Sequence, residues 1–285
     1  MPTSVDADTL FVSTQWLAEH LGAPDLVVFD ASWHMPAAGR DARAEYLSGH
    51  IPGAVFFDID AIADHSTDLP HMLPDAKIFS AEMGRLGFGS GMRAVIYDSV
   101  GLFSAPRLWW TLRVFGARDV SILAGGLPQW TSEGRPLEDG EAKRRPNVFA
   151  AHYDHSLVAD AADVSKALAG GGQVMDARSA ERFSGAAAEP RPGLRSGHMP
   201  GAINLPFGRL IENGRLKDAS ALDSEFRAAG VDPEKPVIAS CGSGLTACIL
   251  SLGLAGAGYR PAVVYDGSWS EWGGRADLPV VTSAV

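Results

Sequence analysis

The residues best placed to do chemistry lie in Ala239-Ser240-Cys241-Gly242-Ser243-Gly244-Leu245-Thr246-Ala247, where one cysteine stands in a short loop punctuated by glycine. Upstream, Pro236-Val237-Ile238-Ala239 reads as the end of a buried β-strand; downstream, Ala247-Cys248-Ile249-Leu250-Ser251-Leu252 reads as an apolar helix. Gly242 and Gly244 allow backbone angles that turn successive N–H groups inward. The loop then forms a nest of donors at a helix N-terminus that favours negative charge at its centre. That is the setting of a nucleophilic thiolate. Cys248, inside the apolar helix, is expected to be buried and inert.

A glycine-rich loop after a strand also raises phosphate binding. A Walker-type loop needs lysine after its last glycine, and Leu245 stands there. A cysteine phosphatase loop needs a phosphate-clamping arginine where this chain has Ala247. A nucleophile and an anion nest without a phosphate clamp point to sulfur chemistry.

The 285 residues suffice for two ordinary domains, and 46% hydrophobic with 20% charged residues describes a soluble globular chain. A formal net charge of −10 argues against a nucleic-acid backbone or an anionic membrane as partner, though a local arginine pair can still bind a small anion. Two cysteines are too few for a disulfide scaffold, so reducing cytoplasm is the expected location. The start, Met1-Pro2-Thr3-Ser4-Val5-Asp6-Ala7-Asp8, lacks the basic head and apolar core of a signal peptide, and no apolar run reaches membrane-spanning length. The eight histidines are scattered without zinc-ligand spacing, and no metal is expected.

The elements that must position Cys241 come twice. Leu26-Val27-Val28-Phe29-Asp30 recurs as Gln173-Val174-Met175-Asp176, and Ser48-Gly49-His50-Ile51-Pro52-Gly53-Ala54 as Ser196-Gly197-His198-Met199-Pro200-Gly201-Ala202. Ala94-Val95-Ile96-Tyr97-Asp98 pairs with Pro236-Val237-Ile238-Ala239-Ser240. The chain is a tandem duplication. Short apolar strands alternate with helical stretches such as Ser13 to Leu21, Pro106 to Phe115, Ala161 to Leu168 and Ala221 to Ala229, which predicts an α/β fold with a mainly parallel sheet flanked by helices in each half. Lys143-Arg144-Arg145-Pro146-Asn147 breaks the apolar pattern and reads as a solvated joint. The expected division is a first domain at 1–142, a linker at 143–155 and a second domain at 156–285. Ligands in such sheets bind at the carboxyl ends of strands, where the Cys241 loop falls. An ungapped match of Ala105 to Ala247 puts Ser99 opposite Cys241, leaving the first half without a nucleophile. His50, His198 and Asp58 are read as structural.

With these segments, Val12-Ser13-Thr14-Gln15-Trp16-Leu17, Asp30-Ala31-Ser32-Trp33, Ser104-Ala105-Pro106-Arg107-Leu108-Trp109-Trp110 and Tyr265-Asp266-Gly267-Ser268-Trp269-Ser270-Glu271-Trp272, the chain resembles the tandem-domain rhodanese superfamily over nearly its whole length. Within it the resemblance is to the 3-mercaptopyruvate branch. It implies two rhodanese-like domains with the active cysteine only in the second. Thiosulfate-specific members carry Cys-Arg-Lys-Gly-Val-Thr; Cys241-Gly242-Ser243-Gly244-Leu245-Thr246 is close to the mercaptopyruvate pattern and lacks both cations, with Leu245 as a conservative departure.

The resemblance implies that Cys241 takes sulfur from 3-mercaptopyruvate as a persulfide, releases pyruvate, and passes the sulfur to thioredoxin, a small thiol or cyanide without a cofactor. It assigns carboxylate binding to Arg182 and Arg191, donor-loop roles to Gly242, Gly244, Leu245 and Thr246, and a proton relay to Ser243, His71 and Asp60. Arg178 is read as structural or supporting. The alternatives are a thiosulfate:cyanide sulfurtransferase and a noncatalytic persulfide carrier.

Overall fold

The computed structural model describes residues 10–283; the stretch Met1 to Asp8, read above for a leader, lies outside them. The first half contributes β1 Phe11–Val12, β2 Leu26–Asp30, β3 Val55–Phe56, β4 Arg93–Tyr97 and β5 Val120–Leu123. The second contributes β6 Val158–Ala159, β7 Gln173–Asp176, β8 Ile203–Asn204, a small hairpin of β9 Ile211–Glu212 and β10 Arg215–Leu216, then β11 Val237–Ser240 and β12 Val263–Tyr265. Their five-stranded sheets run β1-β5-β4-β2-β3 and β6-β12-β11-β7-β8, the same order twice, with every pair parallel. A parallel sheet needs cover on both faces. The continuous apolar run of β2, buried at every residue, follows from that requirement.

Helix starts are written in the sequence by short polar side chains. Ser13 Oγ accepts from Trp16 N–H to open Thr14–His20, and Asp160 with Asp163 forms a capping box on Ala161–Ala169. The helices Ala105–Val114 and Ala247–Gly256 have no side-chain cap on their N-cap residues. Both follow the loops at the strand ends where chemistry is expected. The second is apolar all round and buried from Ala247 to Ala255, and the two helices lie against each other across the domain boundary. Each fully buried leucine there contributes about 1.5–3 kcal/mol. The contact is core-like: one apolar cluster runs from Phe29, Phe57 and Ile96 to Ala239, Cys241 and Leu250.

The segment 143–155 is laid down along the first domain. Asn147 N–H donates to Gly84 O, His152 N–H to Phe115 O and Asp154 N–H to Val114 O, while Arg144 donates to Leu26 O. Phe149 is buried against Phe79 and Phe88. The basic run is therefore anchored at Arg144 rather than freely solvated. Among the described residues, no helix is long and apolar enough to cross a membrane.

Candidate active site

Strand register fixes which loop residues correspond. In the first sheet Asp30 pairs with Tyr97, and in the second Asp176 pairs with Ser240. Asp98 therefore occupies the position of Cys241, one residue before the Ser99 expected from an ungapped match. The reason is length: loop 98–104 is one residue longer than loop 241–246.

The first loop shows what such a backbone does. Asp98 Oδ1 accepts from Val100 and Gly101 N–H, and Oδ2 from Phe103, Ser104 and Ala105 N–H, so five donors converge on one buried carboxylate. The helix Ala105–Val114 is capped by this residue from the strand end. In the first copy that register holds a negative group, and the second copy puts Cys241 there. Asp98→Ala is expected to strand these donors at about 1–3 kcal/mol for each that stays dry, lowering the melting temperature by on the order of 10 °C. Asp98→Asn, which keeps one acceptor oxygen, should lose less. A drop under about 2 °C for the alanine variant in thermal denaturation would refute the capping role.

The Cys241 loop is gripped from the Tyr265–Trp272 motif. Cys241 N–H donates to Ser268 Oγ at 3.1 Å, Trp269 N–H to Cys241 O at 3.0 Å, and Ser270 N–H and Oγ both donate to Gly242 O at 2.9 and 2.7 Å. Ser268 accepts a φ of 48° to do this, an uncommon conformation for a residue with a side chain. Cys241 is 1% exposed. Leu245 is buried and Thr246 is the N-cap residue of the following helix. Cys248 Sγ faces Gly244 O at 3.3 Å inside the apolar helix, and burial pushes its thiol well above the ordinary range.

Arg182 reaches the loop from the helix Ala180–Ser184. A Cβ on Gly242 would stand 2.9 Å from its Nη2, so the absence of a side chain at 242 makes room for the guanidinium. Arg182 does not stand alone. Its Nη2 donates to Glu189 Oε2 at 2.5 Å, and Glu189 Oε1 accepts from Arg178 at 2.7 Å. Arg178 also donates to both oxygens of Asp176 and to Gly197 O, and its guanidinium lies 4.0 Å from the centre of the Trp269 ring. This alternating ladder of charges is buried except at Arg182, 24% exposed.

Arg191 is different. Among the described residues it has no carboxylate within ion-pair distance, and its Nη2 lies 3.5 Å from His71 Nε2. Burial, only partly offset by Cys241, Asp60 and Glu189, holds its guanidinium below the ordinary value. Among the described residues it is thus a cation without a direct carboxylate partner, close enough to Cys241 to interact with it electrostatically.

His71, 5% exposed, crosses from the first domain with a φ of 61°. Its Nδ1 lies 2.7 Å from Asp60 Oδ1, a close contact that falls short of hydrogen-bond alignment. Asp60 Oδ2 accepts from Trp33 Nε1 at 2.8 Å, and the Trp33 ring meets His71 edge-on at 4.9 Å. Burial works to raise the Asp60 carboxyl; His71 and Trp33, together with the Arg191 charge, outweigh it and hold Asp60 below the usual carboxylate range. Asp58 Oδ1 accepts from Asp60 and Ala61 N–H, shaping the turn that delivers Asp60. Ser243 is buried in the loop, but its hydroxyl makes no hydrogen bond to His71. The structure thus joins Asp60 to His71 and leaves Ser243 unlinked.

His50 and His198 lie elsewhere. Each is buried, stacks on an aromatic ring, Tyr46 at 4.2 Å or Phe183 at 3.8 Å, and turns Nδ1 to the carbonyl of that same residue. The paired stacks equate Tyr46 with Phe183 and hence Glu45 with Arg182. The first domain carries an acid where the second carries the arginine that reaches the Cys241 loop. Sequence reasoning left Glu189, Trp33 and Ser268 without roles, although Trp33 and Ser268 lay inside quoted motifs and Glu189 stands two residues before Arg191.

Among the described residues, no group of three or more His, Cys, Asp or Glu is placed to hold a metal ion. The family model for the rhodanese-like domain matches residues 13–133 and again 160–275. The chain belongs to the rhodanese family, as a tandem of two such domains. Its full-length relatives are narrower in description. The 3-mercaptopyruvate sulfurtransferase of Escherichia coli (strain K12) is 47% identical over 95% of this chain and 98% of its own, and the human 3-mercaptopyruvate sulfurtransferase 44% over 93% and 92%. The crystal structure of the E. coli 3-mercaptopyruvate enzyme SseA superposes with a TM-score of 0.85 at 44% identity, covering 91% of this chain and 98% of that one.

Proposed function

We propose that this protein is a 3-mercaptopyruvate sulfurtransferase working through a persulfide on Cys241. The observation that carries the reading is the unpaired Arg191 guanidinium beside a buried cysteine whose loop carries no cation of its own. A donor with a carboxylate at one end and sulfur at the other fits that separation of duties.

The Cys241 thiolate attacks the donor's sulfur; the new S–S bond forms as the C–S bond breaks, and the electron pair leaves as the pyruvate enolate. Arg191 and Arg182 hold the carboxylate and the carbonyl oxygen on which charge collects, and the loop N–H groups stabilise the persulfide anion. The enolate takes a proton to become pyruvate. His71, oriented by Asp60, is suited to supply it, with Ser243 as the intermediary after a side-chain rotation. A thiolate acceptor, thioredoxin or a small thiol, or cyanide, then attacks the outer sulfur and restores the Cys241 thiolate. Two unpaired cysteines fit a reducing compartment such as the cytoplasm.

Wild-type protein is expected to release pyruvate from 3-mercaptopyruvate with a thiol acceptor at a kcat/KM at least 10²-fold, on the order of two charge-assisted hydrogen bonds, above its thiosulfate:cyanide activity. The reverse preference would assign it to thiosulfate. A single stoichiometric sulfur adduct without catalytic pyruvate would make it a carrier.

A further inference from the structure

Arg107 belongs to the first-domain helix Ala105–Val114, yet its guanidinium ends at the second domain's catalytic loop. It is 3% exposed and lies 4.6 Å from the centre of the Trp110 ring. Its Nη1 donates to Asp266 Oδ1 at 2.6 Å and to Gly244 O at 3.2 Å, and its Nη2 donates to His71 O. Asp266, 4% exposed, reaches back the other way: its Oδ2 accepts from Leu73 N–H at 2.8 Å. One ion pair, with a half from each domain, therefore grips residues 71 and 73 on one side and 244 on the other.

Gly244 is shaped by this pair. Its φ is 75°, and a Cβ there would stand 2.8 Å from Arg107 Nη1 and 2.7 Å from Asp266 O. Burial works against the Arg107 charge and the Asp266 carboxylate supports it; on balance the guanidinium stands above its ordinary value. A buried ion pair is a poor choice for stability alone, since apolar packing of the same volume often does as well. Here every remaining bond of the pair goes to the two segments whose mutual placement matters. His71 sits at a positive φ that persists only when its surroundings over-determine it, and this pair holds its carbonyl and the N–H two residues on.

We propose that the buried Arg107–Asp266 pair is a positioning device that registers His71 against the Cys241 loop across the domain boundary. It holds for any sulfur donor, so it stands apart from the choice of 3-mercaptopyruvate. Arg107→Lys keeps the charge but loses the fork that spans two carbonyls, and Asp266→Asn keeps the shape but can turn its N–H₂ toward Leu73 in place of an acceptor. Both are expected to fold, to lower kcat by roughly 10²-fold, the cost of a misplacement near 1 Å, and to leave KM within about threefold because Arg182 and Arg191 are untouched. Alkylation of Cys241 by iodoacetamide, which needs no sulfur donor, should slow several-fold in both. If the wild type turned over no 3-mercaptopyruvate, the function would fail while the alkylation arm still read this proposal. Folded variants with unchanged kcat and unchanged alkylation would overturn it. So would loss of folding in both, which would make the pair a stability element.

Discussion

Replacing Cys241 by serine should abolish pyruvate release, by on the order of 10⁴-fold or more, while the melting temperature moves by only a few degrees. The exchange alters one atom in a site 1% exposed, and the backbone bonds that grip the loop, Cys241 N–H to Ser268 Oγ and Trp269 N–H to Cys241 O, do not involve that atom. What is lost is chemical. A serine hydroxyl stays protonated where the proposed chemistry needs a thiolate, and it cannot hold the transferred sulfur as a disulfide-type bond. The other thiol offers no detour, because Cys248 faces Gly244 O within an apolar helix and burial suppresses its ionisation. Steady-state pyruvate assays alongside intact-mass measurement after donor exposure check both halves: the wild type should gain one sulfur atom per chain and the variant none. Residual turnover above about one per cent, or a sulfur adduct on the serine variant, would place the nucleophile elsewhere.

The tandem fold and the strand-end loop that holds Cys241 were legible in the sequence for the same reason. Strand ends, turn glycines and apolar periods are local signals, and here they occur twice, so each half checked the other. The repeat was also where local reading slipped. An ungapped match cannot see that loop 98–104 is longer than loop 241–246, and only the pairing of Tyr97 with Asp30 and Ser240 with Asp176 shows that Asp98 fills the nest. The supporting groups were invisible for another reason. Glu189 matters because Arg178 and Arg182 converge on it, and Arg107 because its guanidinium crosses between domains; both are facts of tertiary approach that no spacing encodes. Gly244 carried the trace of one, since its lack of a side chain suits a loop turn and also clears space for Arg107 and Asp266.

The two arginines proposed to bind the donor should not be equivalent. Arg191→Ala is expected to lower kcat/KM for 3-mercaptopyruvate by about 10²–10³-fold, the loss of one or two charge-assisted hydrogen bonds at roughly 1.5–3 kcal/mol each, with little change in stability, because among the described residues no carboxylate depends on Arg191. Arg182→Ala should combine a comparable loss of turnover with a lower melting temperature. Its removal leaves Glu189 Oε2 buried without its donor and the alternating ladder through Arg178 and Asp176 one cation short. Glu189→Gln separates the two effects: it loosens Arg182 from its anchor while the guanidinium stays, so KM should rise more than kcat falls. Lysine at 191 retains charge without the planar fork and should recover part of the loss. Steady-state constants with melting curves for the four variants decide the matter. Equal melting temperatures for Arg182→Ala and Arg191→Ala would mean the Glu189 bridge carries no stability. Turnover within about threefold of wild type for Arg191→Ala would remove that residue from donor binding, and with it the reason for preferring a carboxylate donor.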